Sequence, residues 1–219
     1  AVGGDPATSV SGTLAASIVS SPALAEVARE YHLDFADTLT GVKWVSRVPG
    51  LAFGYEEALG YLVDPQKVRD KDGISAAVEF LALVADLKAA GRTIDDHELD
   101  FAARFGAFAS GQVSVRVTEL ADIPRIMGRL RAHPPTHLGA VAVRVIDDFA
   151  QGFGAFPPSD ILRIHLVDGS RVIVRPSGTE PKVKVYLDAS STEGGPAERI
   201  AAAQAAVDAL EASVRPLLA

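Results

Sequence analysis

The sequence predicts an α/β chain in two parts: a mixed-sheet α/β domain, then an α+β domain whose antiparallel sheet is covered by helices. Three observations carry this. Up to about residue 105, short apolar runs alternate with helical patterns, as expected for strands and helices in layers. From Ser110-Gly111 onward, apolar residues recur at every second position, the mark of half-buried strands. The pair Asp168-Gly169 between two such runs marks a tight hairpin. The change of pattern divides the chain into residues 1–110 and 111–219, and 219 residues suffice for two domains of about 110 each.

In the first part, residues 1–13 are rich in Gly, Ser, Thr and Pro and form an open end. Leu14 to Val19 suits a buried strand, and Ser21-Pro22 starts a helix through Ala28, with proline in the first turn. Asp34 to Thr40 is a second strand, and Thr40-Gly41-Val42-Lys43-Trp44 turns into a short helix. Leu51 to Glu57 and Leu59 to Val63 are two strands around a polar turn. Asp72, a good N-cap, opens a helix that places Ile74, Ala77, Val78, Leu81, Val84 and Ala85 on one face and closes at Gly91. A further helix runs from Asp96 to Phe105.

In the second part, Val113, Val115 and Val117 alternate with Ser114 and Arg116. A helix follows from Ile123 to Arg131, then strands at Val141 to Val145, Leu162 to Leu166, Arg171 to Val174 and Lys182 to Leu187. The last helix puts Ile200, Ala203, Val207, Leu210 and Val214 on one face.

Composition narrows the function. A net charge of −7 argues against a general nucleic-acid footprint, so basic residues must gather locally to hold an anion. The absence of cysteine removes disulfide and thiolate chemistry and fits a cytoplasmic location. Apolar runs end well short of the ~18 residues of a membrane span, and no signal peptide is visible. The chain opens on Ala1 and its one methionine is Met127, so a preceding segment is expected. The five histidines show no metal-ligand spacing.

The densest chemistry lies in Arg175-Pro176-Ser177-Gly178-Thr179-Glu180-Pro181, between two strands. Arg175 can offer two parallel hydrogen bonds to phosphate oxygens, Ser177 and Thr179 add hydroxyls, and Gly178 opens its backbone N–H to close approach. From the residues alone this is either an anion cradle or a tight turn with incidental charge. Lys182 and Lys184, on one strand face, either add positive potential behind it or line a solvated face. Three polar turns precede it. Lys43 can present an ammonium or simply be solvated. Glu56 and Glu57 can accept hydrogen bonds from vicinal sugar hydroxyls or be exposed turn acids. Arg69-Asp70-Lys71-Asp72-Gly73 is a self-pairing charge cluster that caps the next helix.

The heptapeptide resembles the phosphate-binding loop of the fourth domain of the α-D-phosphohexomutases, the phosphomannomutases and phosphoglucomutases. The three upstream turns occur in that family's order. Together they cover most of the chain, from about residue 14 to 188, and resemble most the branch of phosphoglucomutase-2 and phosphopentomutase-like enzymes. The resemblance implies the third and fourth domains of a four-domain isomerase. That enzyme moves a phosphoryl group between C1 and C6 of a hexose, through a phosphoserine and a sugar 1,6-bisphosphate, with Mg2+. It implies phosphate binding by Arg175, Ser177, Gly178 and Thr179. It also implies substrate binding by Lys43, Glu56, Glu57, Lys71 and, more distantly, Arg69. Ala58 stands where the family has a serine, so one sugar contact is missing.

Neither the family's serine loop (Thr-Ala-Ser-His-Asn-Pro) nor its Asp-Gly-Asp-x-Asp-Arg metal loop is in this sequence. The resemblance therefore places the catalytic serine and the magnesium site outside this chain, in N-terminal domains of the same polypeptide. It leaves the 219 residues inactive alone. The alternative is a stand-alone phosphosugar-binding module.

Overall fold

The computed structural model describes residues 11–178 and 180–218. Residues 1–10, expected as an open end, and Thr179 lie outside the described residues. The chain divides into two compact units, Ala1–Glu98 and Leu99–Ala219.

The first unit is a mixed α/β layer. Its elements are β1 (Thr13–Ser17), α1 (Ala23–Glu30), β2 (Asp34–Thr38), α2 (Val42–Val45), β3 (Leu51–Glu56), β4 (Gly60–Leu62) and α3 (Gly73–Ala89). The sheet order is β2-β1-β3-β4. β1 pairs parallel with both β2 and β3, and β3 pairs antiparallel with β4. Ala15, Val45 and Leu62 form a fully buried nucleus; the apolar run after residue 13 is spent on strand β1 and the buried Ile18 and Val19 beyond it. Asp72 caps α3 as its sequence position suggests: its carboxylate accepts from the Ile74 and Ser75 N–H groups at 3.0 and 3.3 Å.

The apolar stripe of α3 behaves differently from a core stripe. Ile74, Val78, Phe80 and Leu81 are exposed, and Leu87 is the one fully buried side chain of this helix. Periodicity makes the helix, but the four short strands offer it little apolar surface to cover that stripe.

Helix α4 (Ile94–Phe105) starts two residues before Asp96 because Thr93 and Asp96 form a reciprocal cap: Thr93 N donates to Asp96 Oδ2 at 2.8 Å and Asp96 N to Thr93 Oγ1 at 3.1 Å. The division between units falls within α4. Its C-terminal half belongs to the second unit, where Ala102 is buried with Ala107 and Ala203 and Arg199 Nη1 donates to the Ala102 carbonyl at 2.9 Å. The sequence boundary at 110/111 falls inside β5 (Ala107–Arg116), which runs unbroken through it.

The second unit adds α5 (Asp122–Ala132), β6 (His137–Leu138), β7 (Val141–Asp148), β8 (Leu162–Leu166), β9 (Arg171–Pro176), β10 (Lys182–Ser191) and α6 (Pro196–Val214), closing with a short 3-10 turn. The six strands form one antiparallel sheet in the order β5-β10-β9-β8-β7-β6. One face of each strand supplies the core: Val113, Ile164, Val172, Val185 and Leu187 pack with Met127 and Leu130 of α5 and Val207 and Leu210 of α6. Gly111 permits the closest approach, since a Cβ there would stand 2.8 Å from Val207 Cγ1. The opposite face carries Arg171, Arg175, Lys182 and Lys184 around the buried Ile173 and Tyr186, and its β9–β10 end carries the loop that the sequence singled out.

Candidate functional site

In the first unit the polar turns gather where parallel strands end. The order β2-β1-β3 sets β1 and β3 side by side with their onward connections leaving in opposite directions, the crevice where open α/β sheets bind ligands. Ser17, at the end of β1, and Ser20, just beyond it, are buried, with their hydroxyls 2.8 Å apart. Glu57, just past β3, brings Oε2 to 3.3 Å from each hydroxyl, and its N–H donates to Ser20 Oγ at 3.1 Å. The Glu57 carboxylate is therefore held at the crevice by groups that cost little to bury because they satisfy one another. Lys43 sits in α2, which follows β2, exposed and with Nζ 5.6 Å from the centre of the Trp44 ring. Among the described residues it has no carboxylate partner.

Glu56, the last residue of β3, faces β4 instead. Its side chain is 8% exposed and lies over Gly60, where a Cβ would come within 2.6 Å of Glu56 Cγ. Glycine at 60 is thus the condition for burying Glu56. Lys71 Nζ stands 3.5 Å from Glu56 Oε1. It is brought there because Asp72 N donates to the Tyr61 carbonyl at 3.0 Å, tying the segment beside β4. Asp72 itself is occupied as the cap, and its hydrogen bonds from Ser75 lower its pKa.

Arg69 is not brought together with these groups. It lines a separate cavity of about 800 Å³ with Gly12, Thr13, Asp34 and Gly50, at the opposite, N-terminal ends of the parallel strands. Residues 63–69 have by then run back along the sheet, a reversal that the antiparallel β4 makes and that the sequence spacing hid.

In the second unit Arg175 lies on β9 directly across from Lys184 on β10, which faces Ser114 on β5. One step further, Lys182 faces Arg116. Ser177 N donates to the Lys182 carbonyl at 2.8 Å and closes the loop. Gly178 is exposed, and a Cβ there would meet nothing within 4 Å, so its backbone is open to an incoming group. Arg175 and Lys184 have no ion-pair partner among the described residues. Glu180 is the one acid recorded among these cations: its Oε2 lies 3.0 Å from Arg116 Nη2 and 3.0 Å from Lys182 Nζ. The Lys182 hydrogen bond and charge hold Glu180 below the usual carboxylate range, with Arg116 and Lys184 adding to the effect. Four cations against one carboxylate, beside the half-buried Ser177 and the exposed Gly178, leave this sheet end with an excess of positive charge.

Sequence reasoning gave no role to Ser17, Ser20, Arg116 or Glu180. Arg116 could have been found: it alternates with Ser114, so it shares a strand face with the residues that meet Lys182 and Lys184. The serines carried no signal, because nothing in the sequence brings residues 17 and 20 against residue 57.

Among the described residues no three His, Asp or Glu side chains converge to hold a metal ion, and no helix is long and apolar enough to cross a membrane.

A mixed α/β unit whose acids line the carboxyl edge of its sheet, followed by an antiparallel sheet ending in a cationic loop, has solved counterparts. The exocytosis-sensitive phosphoprotein pp63/parafusin, a phosphoglucomutase from Paramecium, overlays with a TM-score of 0.63 at 20% identity, over 93% of this chain and 38% of its own. A phosphoglucomutase/phosphomannomutase family protein from Burkholderia thailandensis overlays at 0.54 and 16%, over 94% and 38%. The fold is therefore that of phosphohexomutase domains.

Sequence relationship narrows the class. Residues 5–100 match the phosphoglucomutase/phosphomannomutase alpha/beta/alpha domain III, and residues 113–209 the C-terminal domain of the same proteins. The probable phosphomannomutase of Haemophilus influenzae is 52% identical over 191 residues, 87% of this chain and 39% of that protein. A phosphoglucomutase of Staphylococcus epidermidis is 31% identical over 195 residues, 80% and 35%. This chain belongs to the phosphoglucomutase/phosphomannomutase family, and it spans less than two fifths of the length of these relatives.

Proposed function

We propose that this chain is the substrate- and phosphate-binding half of a phosphohexomutase, an isomerase interconverting hexose 1-phosphate and 6-phosphate. The observation that carries the reading is the loop at the β9–β10 end, where Arg175 and Lys184 have no carboxylate partner among the described residues and stand beside Ser177 and the open backbone of Gly178. In such a reaction a sugar bisphosphate must turn round between two half-reactions, and the phosphate not being transferred needs a grip in both orientations. Arg175, Ser177 and Gly178 supply it, with Thr179 as the further hydroxyl of the same loop. Preorganised donors of this kind act most strongly in a site closed to water.

Glu57, fixed by Ser17 and Ser20, and Glu56, held near Lys71, accept hydrogen bonds from ring hydroxyls. Lys43 and Lys71 offset charge near the transferred group. Arg69, at the other edge of its sheet, has no part in this reading. The chemistry also requires a nucleophilic serine and a magnesium ion. No metal ligand is assigned to this chain, whose carboxylates do not converge in threes among the described residues. When bound in the whole enzyme, the ion supplies charge stabilisation to the transferred phosphoryl group, and a sugar 1,6-bisphosphate primes the cycle. The relatives carry both phosphomannomutase and phosphoglucomutase names. Ala58, in place of a hydroxyl, removes one contact that would discriminate between sugars.

The test is Arg175→Ala in the full-length parent polypeptide. Its kcat/KM for glucose 1-phosphate or mannose 1-phosphate falls by about 2–4 kcal/mol of transition-state stabilisation, tens- to about a thousandfold. The isolated 219 residues, given Mg2+ and a bisphosphate primer, show no turnover. Unchanged kcat/KM in Arg175→Ala, or robust turnover by the isolated chain, would refute the reading.

A further inference from the structure

A carboxylate beside a phosphate-binding loop works against the charge it is meant to attract, and Glu180 is such a carboxylate. Its position explains why it is there. The loop from Ser177 to Lys182 is closed by two backbone bonds, Ser177 N to the Lys182 carbonyl and Lys182 N to the Glu180 carbonyl, each 2.8 Å. A third backbone bond, from Val117 N to the Pro181 carbonyl at 3.0 Å, ties the loop to the extension of β5. The Glu180 side chain adds a side-chain tie: a single oxygen accepts from Arg116 of β5 and from Lys182 of β10, the pair that face one another across those strands. The carboxylate thus draws two cations toward itself, while Arg175 and Lys184 on the same sheet end have no ion-pair partner among the described residues.

We infer that Glu180 and Arg116 are positioning residues of the anion loop: together with Lys182 they pin it to both strands so that Ser177 and Gly178 meet the ligand already ordered. This deepens the phosphate-loop reading and rests on it. Neither Glu180 nor Arg116 touches the ligand. Their contribution is the ordering cost that the loop does not have to meet on binding.

Charge and positioning predict opposite signs, which makes the inference testable. If Glu180 acted only as a nearby negative charge, its removal would tighten phosphate binding. As a positioning residue, its removal weakens binding. Inorganic phosphate is titrated at fixed ionic strength into the 15N-labelled chain, following the Gly178 amide. Glu180→Gln and Arg116→Met each weaken binding about five- to tenfold, the worth of ordering one or two side chains and their segment. The double variant is no weaker than the weaker single one, because both remove the same tie. Glu180→Asp, which keeps the charge on a shorter arm, recovers part of the affinity. Hydrogen exchange at Ser177 N–H, measured without phosphate, quickens in Glu180→Gln while global stability stays the same.

Equal or tighter binding by Glu180→Gln overturns the inference, as does additive weakening in the double variant. Arg175→Met separates it from the reading beneath. If Arg175→Met binds phosphate as the parent chain does, or the parent chain binds none, the phosphate reading fails. The Ser177 exchange rate then still decides whether Glu180 pins the loop: an unchanged rate rejects the tie.

Discussion

Arg171 and Arg175 lie on the same face of the same strand, four residues apart, and the structure predicts opposite consequences for losing them. Arg171 Nε donates to Asp188 Oδ2 at 2.8 Å, with the two side chains 12% and 3% exposed. Ser110 Oγ completes the carboxylate at 2.6 Å. Burial pushes the Asp188 pKa up while Arg171 and Ser110 pull it back, so the charged form depends on these partners. Arg171→Met leaves a carboxylate in the interior of the sheet without its counter-charge, and removal of one partner from a buried pair costs about 3–5 kcal/mol. Protonation of Asp188 relieves part of this, which sets the expected loss at the lower end, about 3 kcal/mol. Arg175→Met leaves no such orphan, because Arg175 has no carboxylate partner among the described residues. Its stability cost stays within about 0.5 kcal/mol, while phosphate binding is lost. Urea unfolding of the two variants, followed at the second unit's own signals, measures the first quantity, and a phosphate titration the second. Equal stability losses for the two arginines would refute the reasoning. So would an Arg171→Met variant within 1 kcal/mol of the parent.

Three further outcomes follow from the same geometry. Gly60→Ala drives a Cβ to 2.6 Å from Glu56 Cγ, so the glutamate must leave its place near Lys71. Urea unfolding shows the first unit destabilised by about 1–3 kcal/mol, and the parent enzyme's KM for its phosphosugar rises. Gly111→Ala costs about 1–3 kcal/mol against Val207, and a Gly111→Ala/Val207→Ala pair recovers part of it in a double-mutant cycle. The Asp72 cap has a folded pKa below its unfolded value, first because of the Ser75 side-chain hydrogen bond. Its contribution is therefore fully present above the unfolded value of about 3.9 and is lost as pH falls through the lowered folded one. Unfolding curves at stepped pH show that slope diminished in Asp72→Asn, which still caps α3.

How much of this the sequence contained depends on whether the deciding interaction was local. The Asp72 cap, the Asp168-Gly169 hairpin, and the alternation of Lys182, Val183, Lys184 and Val185 are local, and each element formed where these residues demanded it. The loop proposed to bind phosphate was legible for the same reason: Arg175, Ser177 and Gly178 are held by one turn, so their order in the chain is their order in space. Arg69 shows the opposite case. Two residues from Lys71, it shared the same polar turn in the sequence, yet the reversal after β4 carries it to the far edge of the sheet. The stripe of α3 marks a limit of another kind. Ile74, Val78 and Leu81 fix a helix by their spacing, but spacing holds no information about the surface that stripe faces, and within this chain it stays exposed.

Glu57 shows how the site is assembled from what the sequence could not join. As one of two adjacent acids it was indistinguishable from an exposed turn residue. Its ordered position comes from Ser17 and Ser20, whose hydroxyls lie beneath it because β1 and β3 are parallel neighbours. Two adjacent hydroxyls, with two protons to share between the Glu57 carboxylate and each other, together with the Glu57 N–H donated to Ser20, hold that acid in place. The sheet topology thus turns a flexible surface acid into a preorganised acceptor, and the same argument applies to Arg116, which meets Glu180 because β5 and β10 are paired along ten residues. In both units the residues proposed to act on the ligand are written in local motifs, while the residues that hold them in place are supplied by strand pairing between distant segments.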